Sequence, residues 1–240
     1  MEKYILTEDT QGVFTITLNR LGKKNALCSS MYKQLIKYFI YASQSEHVRC
    51  LLIKGDINCF TAGNDFTESV NDEPLAFKFI EQLAKFDKPF VAAVAGPTVG
   101  IGVTMLLHCD MVIAATNSQF MFPFSKLGIC LEAGSSLLLP LKVGHNKAFE
   151  IAVLGEPFSA EQAYQYGIAN KICQPEDLID IAVSLARTIT KLPADSVQTS
   201  KRLMRQSTAM HMPDVLNNEK HEVMRLLKSD YCQSMMKKFS

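Results

Sequence analysis

No stretch of this 240-residue chain is apolar for long enough to cross a bilayer. Spanning takes about 20 consecutive apolar residues, and the longest candidate, Phe90 to Ile101, is interrupted by Gly96, Pro97 and Gly100. The opening Met1-Glu2-Lys3-Tyr4-Ile5-Leu6 lacks the apolar stretch of a secretory leader, and Lys238-Phe239-Ser240 is not the Ser-Lys-Leu peroxisomal address. A cytoplasmic protein without a membrane partner is the expectation. An excess of charge is also missing: 25 Lys and Arg face 24 Asp and Glu, for a net charge of +1. A nucleic-acid backbone calls for a basic stripe, so that partner class is set aside, although a few local cations could hold a small anion. The seven cysteines, at 28, 50, 59, 109, 130, 173 and 232, form no Cys-x-x-Cys pair, and the five histidines show no ligand spacing. Reduced thiols and no metal follow. A Gly-x-Ser-x-Gly elbow and a Walker loop are both absent, which removes the usual support for serine or nucleotide hydrolysis.

What is present is a core-forming α/β pattern. Hydrophobic residues make up 48% of the chain and charged ones 20%. Phe14, Ile16 and Leu18 alternate with Thr15, Thr17 and Asn19, the period of a half-buried strand, and Tyr4 to Thr7 precedes it across Asp9-Thr10-Gln11-Gly12, predicting a hairpin. Ser29 or Ser30 can cap a helix to about Gln44, followed by a buried strand over Arg49–Gly55. A helix from about Pro74 to Phe86, a strand over Phe90–Ala95, a helix through Met105 to His108 and a strand over Asp110–Ala115 repeat the unit, predicting a layered α/β fold. After Glu150 the pattern turns helical, over Ala160–Tyr166, Glu176–Lys191, Ala194–Gln206 and Pro213–Lys228, with one short strand at Ala169–Cys173. Leu192-Pro193 divides an α/β core, residues 1–190, from a helical region, 191–240, which packs either on its own core or on another subunit.

Two loops interrupt this order at strand ends, where layered folds place their ligands: Asp56 to Phe66, and Ala95-Gly96-Pro97-Thr98-Val99-Gly100-Ile101-Gly102. Their small residues admit close approach to backbone amides, and two such loops could aim two N–H donors at one carbonyl oxygen. Gly100-Ile101-Gly102 is not a dinucleotide turn, because Met105 stands where the third glycine belongs and no acidic strand end follows. The run Pro123 to Ser136 sets one carboxylate, Glu132, among apolar and glycine residues just before a helical run over Leu137–Val143. Desolvation there disfavours its ionised form and a helix N-terminus favours it. Two readings stand: a tuned general base, or an ordinary first-turn glutamate.

Asn19-Arg20, Lys24-Asn25-Ala26-Leu27, Phe60-Thr61-Ala62-Gly63-Asn64-Asp65-Phe66, Lys88 to Gly96 and Cys109 to Ala114, in this order and spacing, resemble the crotonase (enoyl-CoA hydratase/isomerase) superfamily over nearly the whole chain. The resemblance implies a spiral of ββα units with a C-terminal helical region that trimerises, giving a homotrimer or hexamer. It implies an acyl-CoA substrate, no cofactor beyond the coenzyme A carried by that substrate, and a place in fatty acid metabolism such as β-oxidation. By motif position the oxyanion amides are those of Ala62 and Ile101, with Ile101 departing from the family's glycine and reshaping the pocket. Lys23 or Lys24 contacts the coenzyme A phosphates or adenine, and Gly63, Asn64, Asp65, Phe66, Gly100 and Phe124 complete the substrate site.

Hydratases of the family use two glutamates, and those positions read here as Thr104 and Phe124, neither able to carry a proton. Glu132 matches the single glutamate of the Δ3,Δ2-enoyl-CoA isomerase branch, as do the Gly63-Asn64-Asp65 variant and the run around Pro123-Phe124-Ser125. The expected reaction moves a 3-enoyl-CoA double bond to the 2-position, one carboxylate taking a proton from C2 and returning it to C4. The alternatives are an enoyl-CoA hydratase, a thioesterase or another acyl-CoA enzyme, and a non-catalytic acyl-CoA-binding protein. The acyl tail is expected to lie around Asn71 to Phe86, and Lys237 or Lys238 is within the tail that, in this family, can reach a neighbouring site.

Overall fold

The computed structural model of the chain describes residues 3–67 and 75–238. Strands β1 (Ile5–Thr10) and β2 (Val13–Leu18) open it as an antiparallel hairpin closed by Gln11-Gly12, both at positive φ. Such a two-residue turn matches the twist of its strands, so β1 extends to Thr10, beyond the expected Thr7. Helix α1 (Ser29–Gln44) follows; Cys28, extended and without a side-chain bond, occupies the cap position that Ser29 or Ser30 was expected to fill. Next come β3 (Cys50–Lys54), α2 (Leu75–Lys85), β4 (Phe90–Val94), β5 (Pro97–Val99), the single-turn α3 (Ile101–Thr104) and a 3-10 turn, Met105–His108. The expected start of α2 at Pro74 and the first four residues, 71–74, of the expected acyl-tail segment lie outside the described residues. Strands β6 (Met111–Ala115) and β7 (Gln119–Met121) precede α4 (Ser135–Val143) and α5 (His145–Phe149). The rest comprises β8 (Phe158–Ser159), α6 (Ala160–Gln165), β9 (Lys171–Cys173), α7 (Leu178–Thr190), α8 (Ala194–Met204), α9 (Gln206–Leu226) and α10 (Asp230–Met236). Among the described residues no helix is long and apolar enough to cross a membrane.

The main sheet has the order β1-β2-β3-β4-β6-β9, parallel from β2 onward, and a smaller sheet pairs β5, β7 and β8. A parallel sheet must be covered on both faces. Leu51, Ile53, Ala92, Val94 and Val112 point into the larger core with α1 and α2, while Cys50, Leu52, Val91, Ala93 and Ile113 point at Leu178, Ala182 and Ala186 of α7. Two turns of the spiral run from a longer strand to a short strand and then to a helical segment, β4-β5-α3 and β6-β7-α4. The expected ββα spiral and the helical C-terminal region are both present. The short strand β5 lies in the loop expected over Ala95–Gly102, and β7 and β8 fall where the sequence pattern assigns no element, since two or three residues carry no period-2 pattern.

Helices α8 to α10 fold back onto their own chain. Lys201 Nζ donates to the Lys88 carbonyl and to Asp110 Oδ2, both at 2.7 Å, and Arg205 donates to the carbonyls of Phe86 and Ala84. Pro213 was expected to start a helix, where its fixed φ fits. Instead α9 begins at Gln206 and runs through Pro213, which sits on the exposed side where water can satisfy the carbonyl it leaves unbonded.

The spiral depends on close backbone approach where the chain passes from one sheet to the other. Gly96, between β4 and β5, has a φ of +63°, and a Cβ there would lie 2.0 Å from the Asn58 carbonyl oxygen. Gly96→Ala meets both a left-handed backbone and a backbone clash, so urea unfolding should show a loss of more than about 2 kcal/mol. An unchanged midpoint would contradict this crossing.

Candidate active site

The crossing from β4 to β5 brings the two unusual loops together. Thr61 bridges Thr98, the Val99 amide donates to the Thr61 carbonyl at 3.0 Å, and Gly63 lies so close to β5 that a Cβ on it would be 3.0 Å from the Val99 oxygen. The first loop is held by a largely buried ion pair, Arg20 Nη1 to Asp65 Oδ2 at 2.6 Å, with Arg20 also donating to the Ala26 carbonyl. Burial works against this pair on both sides. The bonds that Asp65 accepts from Thr67 and Arg20 nonetheless hold its carboxyl below the ordinary range, and the Asp65 partner keeps the guanidinium pKa raised.

The amides of this loop divide in a way that corrects the expected oxyanion pair. Ala62 N–H donates to the Lys24 carbonyl at 2.9 Å, so Ala62 has no amide left for a ligand. Asn64 bridges Leu27 in parallel: Leu27 N–H donates to the Gly63 carbonyl at 2.7 Å and Asp65 N–H to the Leu27 carbonyl at 3.0 Å. Alternation along an extended chain turns the Asn64 amide the other way, where no acceptor bonds it among the described residues. Ile101 is the first residue of α3, and its amide, like the leading amides of any helix, has no partner within the helix. Gly100 makes that turn at φ 57° and ψ −121°, which only glycine adopts readily. The free donors are therefore those of Asn64 and Ile101, and Ile101 is a buried core residue.

One helical turn beyond Ile101, the Thr104 hydroxyl donates to Glu132 Oε1 at 2.8 Å. Glu132 is only 5% exposed. Burial pushes its carboxyl up to about 8; the Thr104 hydrogen bond opposes the rise and the charge of Glu219 adds to it. Of the two readings of Glu132, the first-turn glutamate fails, because α4 starts three residues later, at Ser135. The Gly134 and Ser136 amides there belong to Glu219 of α9, at 2.6 and 2.9 Å.

Three further side chains converge here without an evident signal in the sequence. The Tyr32 hydroxyl donates to Asn64 Oδ1 and is raised well above the ordinary phenol range, by burial first and then by the Glu132 charge. His108 donates from Nε2 to the Ala133 carbonyl at 2.6 Å, and burial lowers its pKa to about 4, so the ring is neutral. Glu219 is the third. A polar residue inside the apolar run Met105–Cys109 could have flagged His108, whereas Glu219 sits in an ordinary polar stretch of α9.

The other expected residues are spread around this centre. Lys23 and Lys24 are exposed, on the rim beside Ala62. Phe66 is partly buried against the core. Phe124 is buried, its ring edge-on to Phe122 at 6.2 Å between centroids. A cavity of about 800 Å³ opens between α2, α8 and α9; Phe77, Ile80, Phe86, Met212, Leu216 and, on its inner side, Ala133 line it. Among the described residues no group of three or more His, Cys, Asp or Glu comes together as metal ligands do.

The sequence model of the enoyl-CoA hydratase/isomerase family matches residues 8–240. The 1,2-epoxyphenylacetyl-CoA isomerase of Escherichia coli K12 is 35% identical over 205 residues, covering 80% of this chain and 78% of that protein. Rat enoyl-CoA delta isomerase 2 is 34% identical over 217 residues, covering 85% of this chain and 55% of that one. The solved structure of Pseudomonas aeruginosa OdaA superposes with a TM-score of 0.94 at 37% identity, over 99% of each chain.

The protonation of Glu132 is open to a direct test. In the unfolded chain a glutamate titrates near 4.5, and in the fold near 8. Between these values the folded state keeps a proton that the unfolded state has released. The stability of the neutral buried form is therefore complete below the lower value and lost as pH rises through the upper one. Glu132→Gln cannot ionise, so calorimetry should find it melting above wild type at about pH 8 and converging with it toward about pH 4.5. A pH-independent difference would contradict the burial of Glu132.

Proposed function

The chain belongs to the enoyl-CoA hydratase/isomerase family, and from that membership we propose that it is an isomerase that moves the double bond of a 3-enoyl-CoA to the 2-position. The observation that carries this reading is a buried carboxylate, Glu132, beside which, among the described residues, no second acid is left unbonded. Thr104 occupies one hydratase glutamate position and donates to Glu132, Phe124 occupies the other, and both oxygens of Glu219 accept backbone amides. In its ionised form Glu132 takes the acidic proton from C2, the dienolate oxygen rests on the Asn64 and Ile101 amides, and the protonated carboxyl delivers the proton to C4. A proton affinity near 8 suits both halves, since the same group must accept and then give back. Each well-aimed oxyanion donor contributes about 10²–10³-fold. Two relatives that carry isomerase names support the assignment.

Further elements of the proposal follow the family. Lys23 and Lys24 hold the coenzyme A end, and no cofactor is needed beyond the thioester of the substrate. The exposed apolar side chains Leu141, Phe149 and Leu154 offer a face for assembly into a homotrimer or hexamer. The setting is fatty acid degradation in the cytoplasm.

Assayed with 3-enoyl-CoA and 2-enoyl-CoA, the purified protein should isomerise the first faster than it hydrates the second; the reverse order makes it a hydratase. Glu132→Gln should still bind acyl-CoA and lose about 10²–10⁴-fold in turnover. Unchanged turnover would place the proton carrier elsewhere. The cavity between α2 and α9 is read as space for the acyl tail. Ala209→Trp, filling it from an exposed wall, should lower kcat/KM about tenfold for the longest chains, at about 0.8 kcal/mol per methylene expelled, and spare the shortest. An equal effect on all lengths would remove the tail from this cavity.

A further inference from the structure

The segment that carries Glu132 is not built from favourable backbone. Ala133 has a φ of 59° and Gly134 of 71°, so two consecutive residues are left-handed and the first is not glycine. For the non-glycine Ala133 that conformation costs about 1–3 kcal/mol and persists only where neighbours over-determine it. Two neighbours do so here. From one side, His108 Nε2 donates to the Ala133 carbonyl at 2.6 Å. From the other, Glu219 accepts the Gly134 amide at 2.6 Å and the Ser136 amide at 2.9 Å, one on each carboxylate oxygen. Met212, two turns earlier on α9, closes over the same turn, 2.6 Å from where a Cβ on Gly134 would be.

We propose that Glu219 is a positioning residue: reaching in from the C-terminal helix α9, it clamps the left-handed turn that aims Glu132 and thereby makes the helical region part of the proton-transfer site. The proposal rests on Glu132 as the base. Glu219 is 7% exposed, and a carboxylate is seldom kept so buried without such bonds. Helix capping alone needs no residue from 83 positions away, since a serine or aspartate at the cap serves that end locally. The cap position of α4 is instead Gly134, with no side chain to offer. Besides burial, the negative charge of Glu219 favours the protonated form of Glu132. Among the described residues, the titratable groups around Glu132 are Tyr32 from α1, His108 from the turn after α3 and Glu219 from α9. His108 is neutral, so Glu219 supplies the charge that responds to substitution.

The test pairs a kinetic arm with a titration that needs no substrate. In Glu219→Gln one oxygen acceptor becomes an amide nitrogen facing a backbone N–H, so the clamp loses one bond and its charge. Per folded molecule, kcat on 3-enoyl-CoA should fall about 10–100-fold with KM within about threefold of wild type, as for a misaimed base. By infrared difference spectroscopy, using the carboxyl band missing in Glu132→Gln, Glu132 should ionise at lower pH in Glu219→Gln. Glu219→Asp keeps the charge and shortens the reach: kcat should fall while the Glu132 titration stays near that of wild type. This variant decides the matter if Glu219→Gln does not fold. A kcat per folded molecule equal to wild type in Glu219→Gln, or in Glu219→Asp where Glu219→Gln does not fold, reduces Glu219 to a stabilising cap and overturns the proposal. A wild type inactive on 3-enoyl-CoA would instead sink the proposed function, and the titration would still report on the clamp.

Discussion

The proposed chemistry rests on one desolvated carboxyl. Glu132 lies in the interior, and among the described residues the Thr104 hydroxyl is the side-chain donor bonded to it. In bulk water a carboxylate titrating near its ordinary value would be too weak a base for a carbon acid. Moving it into an apolar enclosure raises its proton affinity. The cost of keeping an ionisable group there is met by the rest of the fold: two covered faces of parallel sheet and a C-terminal helix folded over the turn.

The main sheet supplies rigidity, and the short strands supply address. Because β5 pairs with the first loop and its end opens α3, two amides from distant parts of the sequence, Asn64 and Ile101, are left free close to one another. Three residues of extended chain decide which amides are free. The pairing of Leu27 with Asn64 consumes Gly63 O and Asp65 N, and the pairing of Ala62 with Lys24 consumes the amide that motif position alone had selected. Isoleucine at position 101 changes the side chain that the core receives and leaves the backbone donor intact.

Much of this was legible beforehand and some was not, for physical reasons. Long buried strands such as Phe90–Val94 announce themselves by continuous apolar runs, and α1 and α7 by their faces. Glu132 stood out as the lone acid in an apolar run. Short strands cannot be read, since two or three residues do not establish a period. The occupancy of the Ala62 amide could not be read either, because it depends on a partner, Lys24, that only the folded loop brings within reach. Tyr32 and Glu219 look like any residue of a surface helix until α1 and α9 are docked.

The same scaffold serves water addition or proton transposition, and what divides them is how many acids face the acyl chain. Two opposed carboxylates can hold and split a water molecule between them. A hydroxyl in place of one, here Thr104, cannot accept and return a proton at neutral pH, but it can orient the remaining acid. A phenyl ring in place of the other, Phe124, removes the polar partner that a bound water requires. In the proposed reaction the remaining carboxyl serves as both base and acid, which demands that it sit within reach of two carbon atoms and that its proton affinity lie close to the working pH. Burial sets the second condition, and the first is a matter of backbone. A left-handed Ala133 that relaxed would re-aim the carboxyl beside it, so holding that turn from both sides matters as much as the acid it carries.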